Sequence, residues 1–405
     1  MSVPRSVFIV AGEASGDRLG AALMRGLRAE ASARGEPTPT FEGVGGVAMA
    51  AQGFESLFPI SDVAVMGLTE VLPRLRTILR RVEETAQAMI AAAPDIIVTI
   101  DAPDFGLRAA AKAREVLGAD NRLFAHYVAP SVWAWRPGRA AKMARRTDHL
   151  LALLPFEPPY FEAEGLSCDF VGHPVVESAG QVDPADDSLR KDLGIAMDAP
   201  LIVVLPGSRR GEVERLTGLF GDALAQLADK RPGLQAIVPA GEHVVELVRE
   251  RTASWSLSTH VLDPRELSFE AAERRKFRAM AAADVALAAS GTVSLELAAM
   301  RTPMVVGYRT AWLTAQIVRR IVKVESATLA NLVTESRGVP EFLQEYLKPD
   351  VVAAALDGLI DPNAPERLKQ LHMLDETMRR LGEGAAPPSR RAAQSLLRAY
   401  DARVV

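Results

Sequence analysis

Short apolar runs return at helix-length intervals along this chain, and they do so in two separate series. Val7 to Ala11, Ile96 to Ile100 and Leu123 to Val128 make up the first; helix-period segments follow from Asp17 to about Glu30 and from Phe105 to Leu117. The second holds Leu201 to Leu205, Gln235 to Pro239, Val285 to Ala289 and Met304 to Val306, with a helix expected from about Val213 to Asp229. Runs that are apolar throughout, without alternation, suit strands covered on both faces, and their alternation with helices is the pattern of βαβ units around a parallel sheet. A chain of 405 residues is long enough for two such domains. Between the series, Ser178 to Pro200 is rich in turn formers and reads as a linker. The division expected is 1–180, 181–375 and a helical tail, 376–405, whose last helix, Arg390 to Arg403, returns to the first domain. The fold class is α/β: two Rossmann-like domains facing each other across a cleft at the carboxyl ends of their strands, where open α/β sheets bind ligands.

Composition excludes several alternatives. With 48% hydrophobic and 24% charged residues the chain can bury two cores, and a formal net charge of −4 gives no overall field to attract nucleic acid. One cysteine, Cys168, cannot pair within the chain and reads as a small core residue. No apolar stretch approaches the roughly 20 residues of a membrane-spanning helix. Val7 to Ala11 is too short for a signal-peptide core and reads as a buried strand.

Two loops in the second series suit an anion. Val285 to Ala289 ends in Ser290-Gly291-Thr292 and a helix starts at once, so unpaired backbone N–H groups face whatever lies there. Glu296, one turn on, is placed to accept hydrogen bonds from sugar or ribose hydroxyls. The bland alternative is a helix cap by Ser290 or Thr292 with a solvated Glu296. Leu205 runs into Pro206-Gly207-Ser208-Arg209-Arg210, in which glycine permits close approach and Arg209 offers a planar fork to phosphate; a solvated surface turn is the alternative.

In the first series, Gly12-Glu13-Ala14-Ser15-Gly16-Asp17 joins strand to helix but matches neither the dinucleotide fingerprint nor the P-loop. Gly12 and Ser15 are candidates for backbone and hydroxyl contacts to a nucleotide-sugar. Asp101, just past Ile96 to Ile100, is the candidate for taking a proton from a hydroxyl nucleophile, while Asp104 suits a turn or cap. His126, in the segment that leads to Trp133 and Trp135, is a second acid/base candidate, and the tryptophans suit either carbohydrate or core. No His/Cys/carboxylate cluster has metal-ligand spacing, so neither a catalytic metal nor a cofactor is expected. Leu68, Val71, Leu72, Leu75, Ile78 and Leu79 form a helical apolar stripe flanked by Arg74, Arg76, Arg80 and Arg81, which fits a core-facing helix or one lying on a membrane.

Taken in order, Ala11 to Asp17, Ala64-Val65-Met66-Gly67, Ile100 to Phe105, Pro130 to Trp135, Leu154-Pro155-Phe156-Glu157, Leu205 to Arg209 and Pro303 to Tyr308 closely resemble the lipid-A-disaccharide synthase family. The likeness runs from the first strand to about Asn331 and into the tail. It implies a GT-B fold and inverting, metal-independent transfer of 2,3-diacylglucosamine from UDP to the 6-hydroxyl of 2,3-diacylglucosamine 1-phosphate (lipid X), giving the β(1→6) disaccharide 1-phosphate and UDP. By the same resemblance Asp101 is activity-critical, Arg209 and Asn331 belong to the donor site, and Glu296 lies on the nucleotide side. The stripe from Leu68 to Leu79 becomes a membrane-contacting patch of a cytoplasmic enzyme peripheral to the inner membrane. The loop around Arg136 to Arg139 departs from the family pattern, which leaves acceptor contacts there open, as the sequence leaves a homodimer open. Rival readings are a UDP-GlcNAc epimerase, a peptidoglycan glycosyltransferase, or a two-domain binding protein without catalysis.

Overall fold

The computed structural model describes residues 4–64, 68–118, 121–135, 138–183, 186–311, 315–316 and 324–404; side chains of residues 68–73 and 404 are outside the description. The chain divides into two compact units, Met1–Pro174 with Gly384–Val405, and Val175–Glu383. Residues 175–180 and 376–383, which the sequence reading grouped with the first domain and with the tail, belong to the second unit.

The first unit is built on a six-stranded sheet of order β2-β1-β3-β4-β5-β6, all neighbours parallel, with β1 (Ser6–Ala11), β2 (Thr40–Val44), β3 (Ile96–Ile100), β4 (Leu123–Tyr127), β5 (His149–Ala152) and β6 (Ser167–Phe170). The central strands β3 and β4 are buried at every residue, which is why, Thr99 and His126 apart, their sequences are apolar without alternation. One face packs on the helix Ala14–Arg34 and on the terminal helix Pro388–Val404, through Leu23, Met24, Leu27, Ala393, Leu396 and Leu397. These two helices make close contact at Gly26, where an added Cβ would lie 2.4 Å from the Ser389 carbonyl oxygen. A buried polar network also ties the tail to the sheet: the Ser395 hydroxyl donates to Asp169 at 2.6 Å and lies 2.7 Å from His149 Nε2.

The second unit repeats the plan in the order β12-β11-β10-β7-β8-β9, again with parallel neighbours. Its strands are β7 (Leu201–Leu205), β8 (Gln235–Pro239), β9 (Ser258–Leu262), β10 (Val285–Ala288), β11 (Met304–Tyr308) and β12 (Glu341–Leu343). The helices Arg210–Lys230 and Pro349–Ile360 cover one face with Val213, Leu216, Phe220, Leu224, Val352 and Leu356. Each sheet thus delivers its strand ends, and the loops that follow them, to one edge.

Cys168 is buried, and burial pushes its thiol far above the ordinary range, which makes it a core residue. No helix among the described residues is long and apolar enough to cross a membrane.

Candidate functional site

Both anion-suited loops of the second unit open onto one cavity of about 560 Å³, lined by Ser208, Arg209, Ser290, Gly291, Thr292 and Glu296 among others. β7 and β10 are hydrogen-bonded neighbours with Ala288 paired to Leu205, so adjacent strands release their loops side by side. Sequence separation of some eighty residues is erased by this register.

At the β10 end, Gly291 has φ of 137°, a conformation closed to other residues in practice. The helix Val293–Ala299 starts at Thr292 with no side-chain cap. The alternative of a capped turn therefore does not hold: the Ser290 hydroxyl donates instead to the Ala327 carbonyl at 2.6 Å. No side chain accepts from the leading N–H groups of that helix; those of Ser294 and Leu295 donate to the Gly291 and Thr292 carbonyls.

At the β7 end, Gly207 has φ of 110°, and a Cβ there would stand 2.4 Å from Glu212 Oε2. Glycine is demanded twice over, by conformation and by space. Glu212 then holds the loop, accepting from the Arg209 backbone N–H at 3.3 Å and from the Tyr308 hydroxyl at 3.4 Å. The Arg209 side chain is 73% exposed with its Nη1 3.6 Å from Glu212, so the guanidinium stands at the cavity with freedom to reach a phosphate.

Asn331 is not on the cavity wall. It is 2% exposed, and its amide is spent on the Val339 backbone in both directions and on Glu341. Glu341 also takes bonds from Ser326 and the Ala327 N–H. Through Glu341 it is joined to Ala327, the residue whose carbonyl accepts from Ser290, so the structure places Asn331 behind the cavity wall and not on it.

In the first unit the loops after β1 and β3 meet. A Cβ on Gly12 would fall 2.4 Å from that of Ala102, so only glycine lets these two turns touch. Asp101 and Ala102 have φ of 48° and 38°, and Val128, just past β4, has φ of 83°. Positive φ is uncommon for residues other than glycine and strained at the β-branched Val128, and this edge holds three such residues at neighbouring strand ends. The Asp101 N–H donates to the Tyr127 carbonyl at 2.9 Å, fixing the turn. The Glu13 carboxyl lies near that of Asp101 and accepts from the Ser15 hydroxyl at Oε1, at 2.8 Å. Burial first, and the Glu13 carboxyl second, push Asp101 up to about 6.

His126 is placed elsewhere than the sequence reading put it. It is 1% exposed, with Nδ1 2.7 Å from the Thr99 hydroxyl, and burial pulls it down to about 3. It is a neutral residue of the β3–β4 pairing, not a group that meets solvent or substrate. Asp17 is likewise structural: its carboxylate accepts the N–H groups of Gly46, Ala48 and Met49. Asp104 is exposed on its turn. Trp133 donates to the buried Glu157 at 3.2 Å and packs edge-on to Phe156, whereas Trp135 is exposed with the Arg139 guanidinium 5.7 Å from its ring. Arg136 and Pro137 lie outside the described residues.

The stripe of the helix Leu68–Ala92 is not core at its described positions. Leu75 and Leu79 are 41% and 48% exposed and Ile78 is half-buried, with Arg74, Arg76 and Arg80 exposed around them. The same helix buries Val82, Ala86 and Met89 further along. Arg81 is occupied, paired to Asp62 at 2.6 Å and to Glu84 at 2.5 Å. Leu68, Val71 and Leu72 have side chains outside the description, as do Val65, Met66 and Gly67 entirely.

Sequence reasoning missed Glu13, Glu212, Lys276 and Glu341. Glu212 follows Gly207 closely enough to have been suspected; the others meet their partners only through the fold.

The profile of the family described as Lipid-A-disaccharide synthetase matches residues 7–394. The protein named lipid-A-disaccharide synthase from Ruegeria pomeroyi is 51% identical over 392 residues, covering 96% of this chain and 94% of its own. That from Rhodospirillum centenum is 47% identical over 403 residues, covering 99% and 96%. Among solved structures, the UDP-GlcNAc 2-epimerase of Neisseria meningitidis bound to UDP-GlcNAc superposes with a TM-score of 0.63 at 13% identity, over 97% of this chain and 99% of that one. The calicheamicin glycosyltransferase CalG4 gives 0.56 at 15%, over 99% of each chain. The structural likenesses establish a GT-B-like α/β fold, and the sequence likeness over nearly the whole length establishes that this chain belongs to the lipid-A-disaccharide synthase family, a family of glycosyltransferases.

Proposed function

We propose that this enzyme transfers 2,3-diacylglucosamine from UDP to the 6-hydroxyl of 2,3-diacylglucosamine 1-phosphate, with the donor nucleotide in the second unit's cavity and Asp101 as the base. The observation that carries the donor assignment is the convergence of Ser208, Arg209, Ser290, Gly291, Thr292 and Glu296 on one cavity. Pyrophosphate charge meets the uncapped helix start and Arg209, and these groups stabilise the charge that grows on UDP as it leaves. Glu296 accepts hydroxyls from the nucleotide's ribose. Gly12 and Ser15 border the carboxyl pair, where they shape the approach of the reacting sugars.

Inversion follows from a single displacement. The acceptor oxygen attacks the anomeric carbon, the bond to UDP breaks with its electron pair going to the β-phosphate, and the acceptor proton passes to Asp101. A carboxyl raised to about 6 is mostly ionised at neutral pH, yet more basic than a solvated aspartate, which is the range in which a general base works. Both substrates carry acyl chains in a bilayer, and exposed Leu75 and Leu79 among arginines supply a surface to meet it. Leu68, Val71 and Leu72 extend that surface in sequence.

Mass spectrometry of the products formed from the diacylated UDP-sugar and the diacylated sugar 1-phosphate tests this reading. It expects a tetraacyl disaccharide 1-phosphate with one UDP released per product. Epimerised UDP-GlcNAc from a soluble substrate, without disaccharide, would replace the transferase reading by that of its structural neighbours.

A further inference from the structure

We infer that Lys276 is a positioning residue that aims the Glu296 carboxylate into the donor cavity, and that this pair sets the preference of the site for a ribonucleotide over its deoxy counterparts. The inference rests on the nucleotide reading of that cavity. Lys276 stands on the helix Phe269–Ala282, whose neighbouring residues Phe277 and Met280 are buried and fix it in place. Its ammonium lies 3.1 Å from Glu296 Oε1 and 3.0 Å from Glu273 Oε1, and all three residues line the cavity. Burial pulls the ammonium down, but the two carboxylates outweigh that and hold it above the ordinary lysine value.

The consequence is asymmetric. Glu296 Oε1 is occupied by Lys276, while among the described residues no protein donor bonds Oε2. Glu296 lines the same cavity as Ser208 and Arg209, so phosphate donors and a hydroxyl acceptor share it. A nucleoside diphosphate offers a partner to each, phosphate and a vicinal diol. A diol donating to Oε2 gains a bond to a charged, pre-oriented acceptor, which is among the stronger neutral-to-charged hydrogen bonds. Without Lys276, Glu296 and Glu273 face each other unscreened, and Glu296 turns to water.

The test measures dissociation constants of UDP and of 2′,3′-dideoxy-UDP by calorimetry on the full chain, for the wild type, Lys276→Met, Lys276→Arg and Glu296→Gln. Thermal unfolding of each confirms that the variants are folded. The wild type should favour UDP by about tenfold or more, the scale of a hydrogen bond to a charged group. Lys276→Met and Glu296→Gln should reduce that ratio to about threefold or less, and Lys276→Arg should keep most of it. A ratio unchanged in Lys276→Met, with both nucleotides weakened alike or not at all, overturns the inference, because a charge or folding effect does not distinguish the two ligands. A wild type that binds neither nucleotide overturns the nucleotide reading, and the inference with it.

Discussion

The Asp101 carboxyl lies near that of Glu13 where two strand-end loops meet, and the Ser15 hydroxyl donates to Glu13 Oε1 at 2.8 Å. Burial first and the neighbouring Glu13 carboxyl second hold Asp101 above the ordinary carboxylate range, so Glu13 contributes to setting the pH at which Asp101 ionises.

The pH dependence follows. A base at Asp101 has to be ionised and its pKa is raised, so the proposed role predicts that turnover under limiting substrate falls as pH drops through about 6. Replacing Glu13 by Gln removes a like charge, so the midpoint should move to lower pH. A kcat/KM profile from pH 4.5 to 8 reads both; a midpoint that stays in place in Glu13→Gln removes the pair from the account.

His126 gives a contrasting expectation. Buried and neutral beside Thr99, it serves the β3–β4 pairing, so His126→Phe leaves the Thr99 hydroxyl without that partner. Such a loss costs about 1–3 kcal/mol of stability. Unfolding in denaturant should show it, while the pH profile of the residual activity keeps its midpoint.

Gly207 is held by space as well as by its φ of 110°. Gly207→Ala drives a methyl into Glu212 and strains the backbone by about 1–3 kcal/mol, displacing the loop that carries Arg209. KM for the donor sugar should rise about tenfold, with KM for the acceptor little changed.

Leu75 and Leu79 give the membrane proposal its handle. Leu75→Glu with Leu79→Glu should lower cosedimentation with anionic phospholipid vesicles by about tenfold or more, since burying an exposed leucine contributes on the order of 1–2 kcal/mol. Turnover of substrates dispersed in detergent should remain near that of the wild type.

What the sequence made legible, and what it hid, follows from burial and from distance along the chain. β3, β7 and β10 are covered on both faces and read, Thr99 apart, as apolar runs. β2, β9 and β12 are edge or end strands with mixed exposure, Thr40 to Val44 carrying Glu42 and Ser258 to Leu262 carrying His260, so no run announces them. The two anion loops were readable because strand, glycine and helix start are contiguous. His126 was misread because a polar residue near a strand end can point into the sheet as well as out of it. Glu13 with Asp101, and Lys276 with Glu296, are joined only by sheet register and helix packing, which no local pattern reveals.

The most direct test measures UDP affinity and turnover in the same variant, Asp101→Asn. A base in one unit and a nucleotide cavity in the other predict that turnover falls by about 100-fold or more, while the UDP dissociation constant stays within about twofold of the wild type. Near-normal turnover, or loss of UDP binding in step with turnover, would contradict the division of labour between Asp101 and the cavity of Arg209 and Ser290.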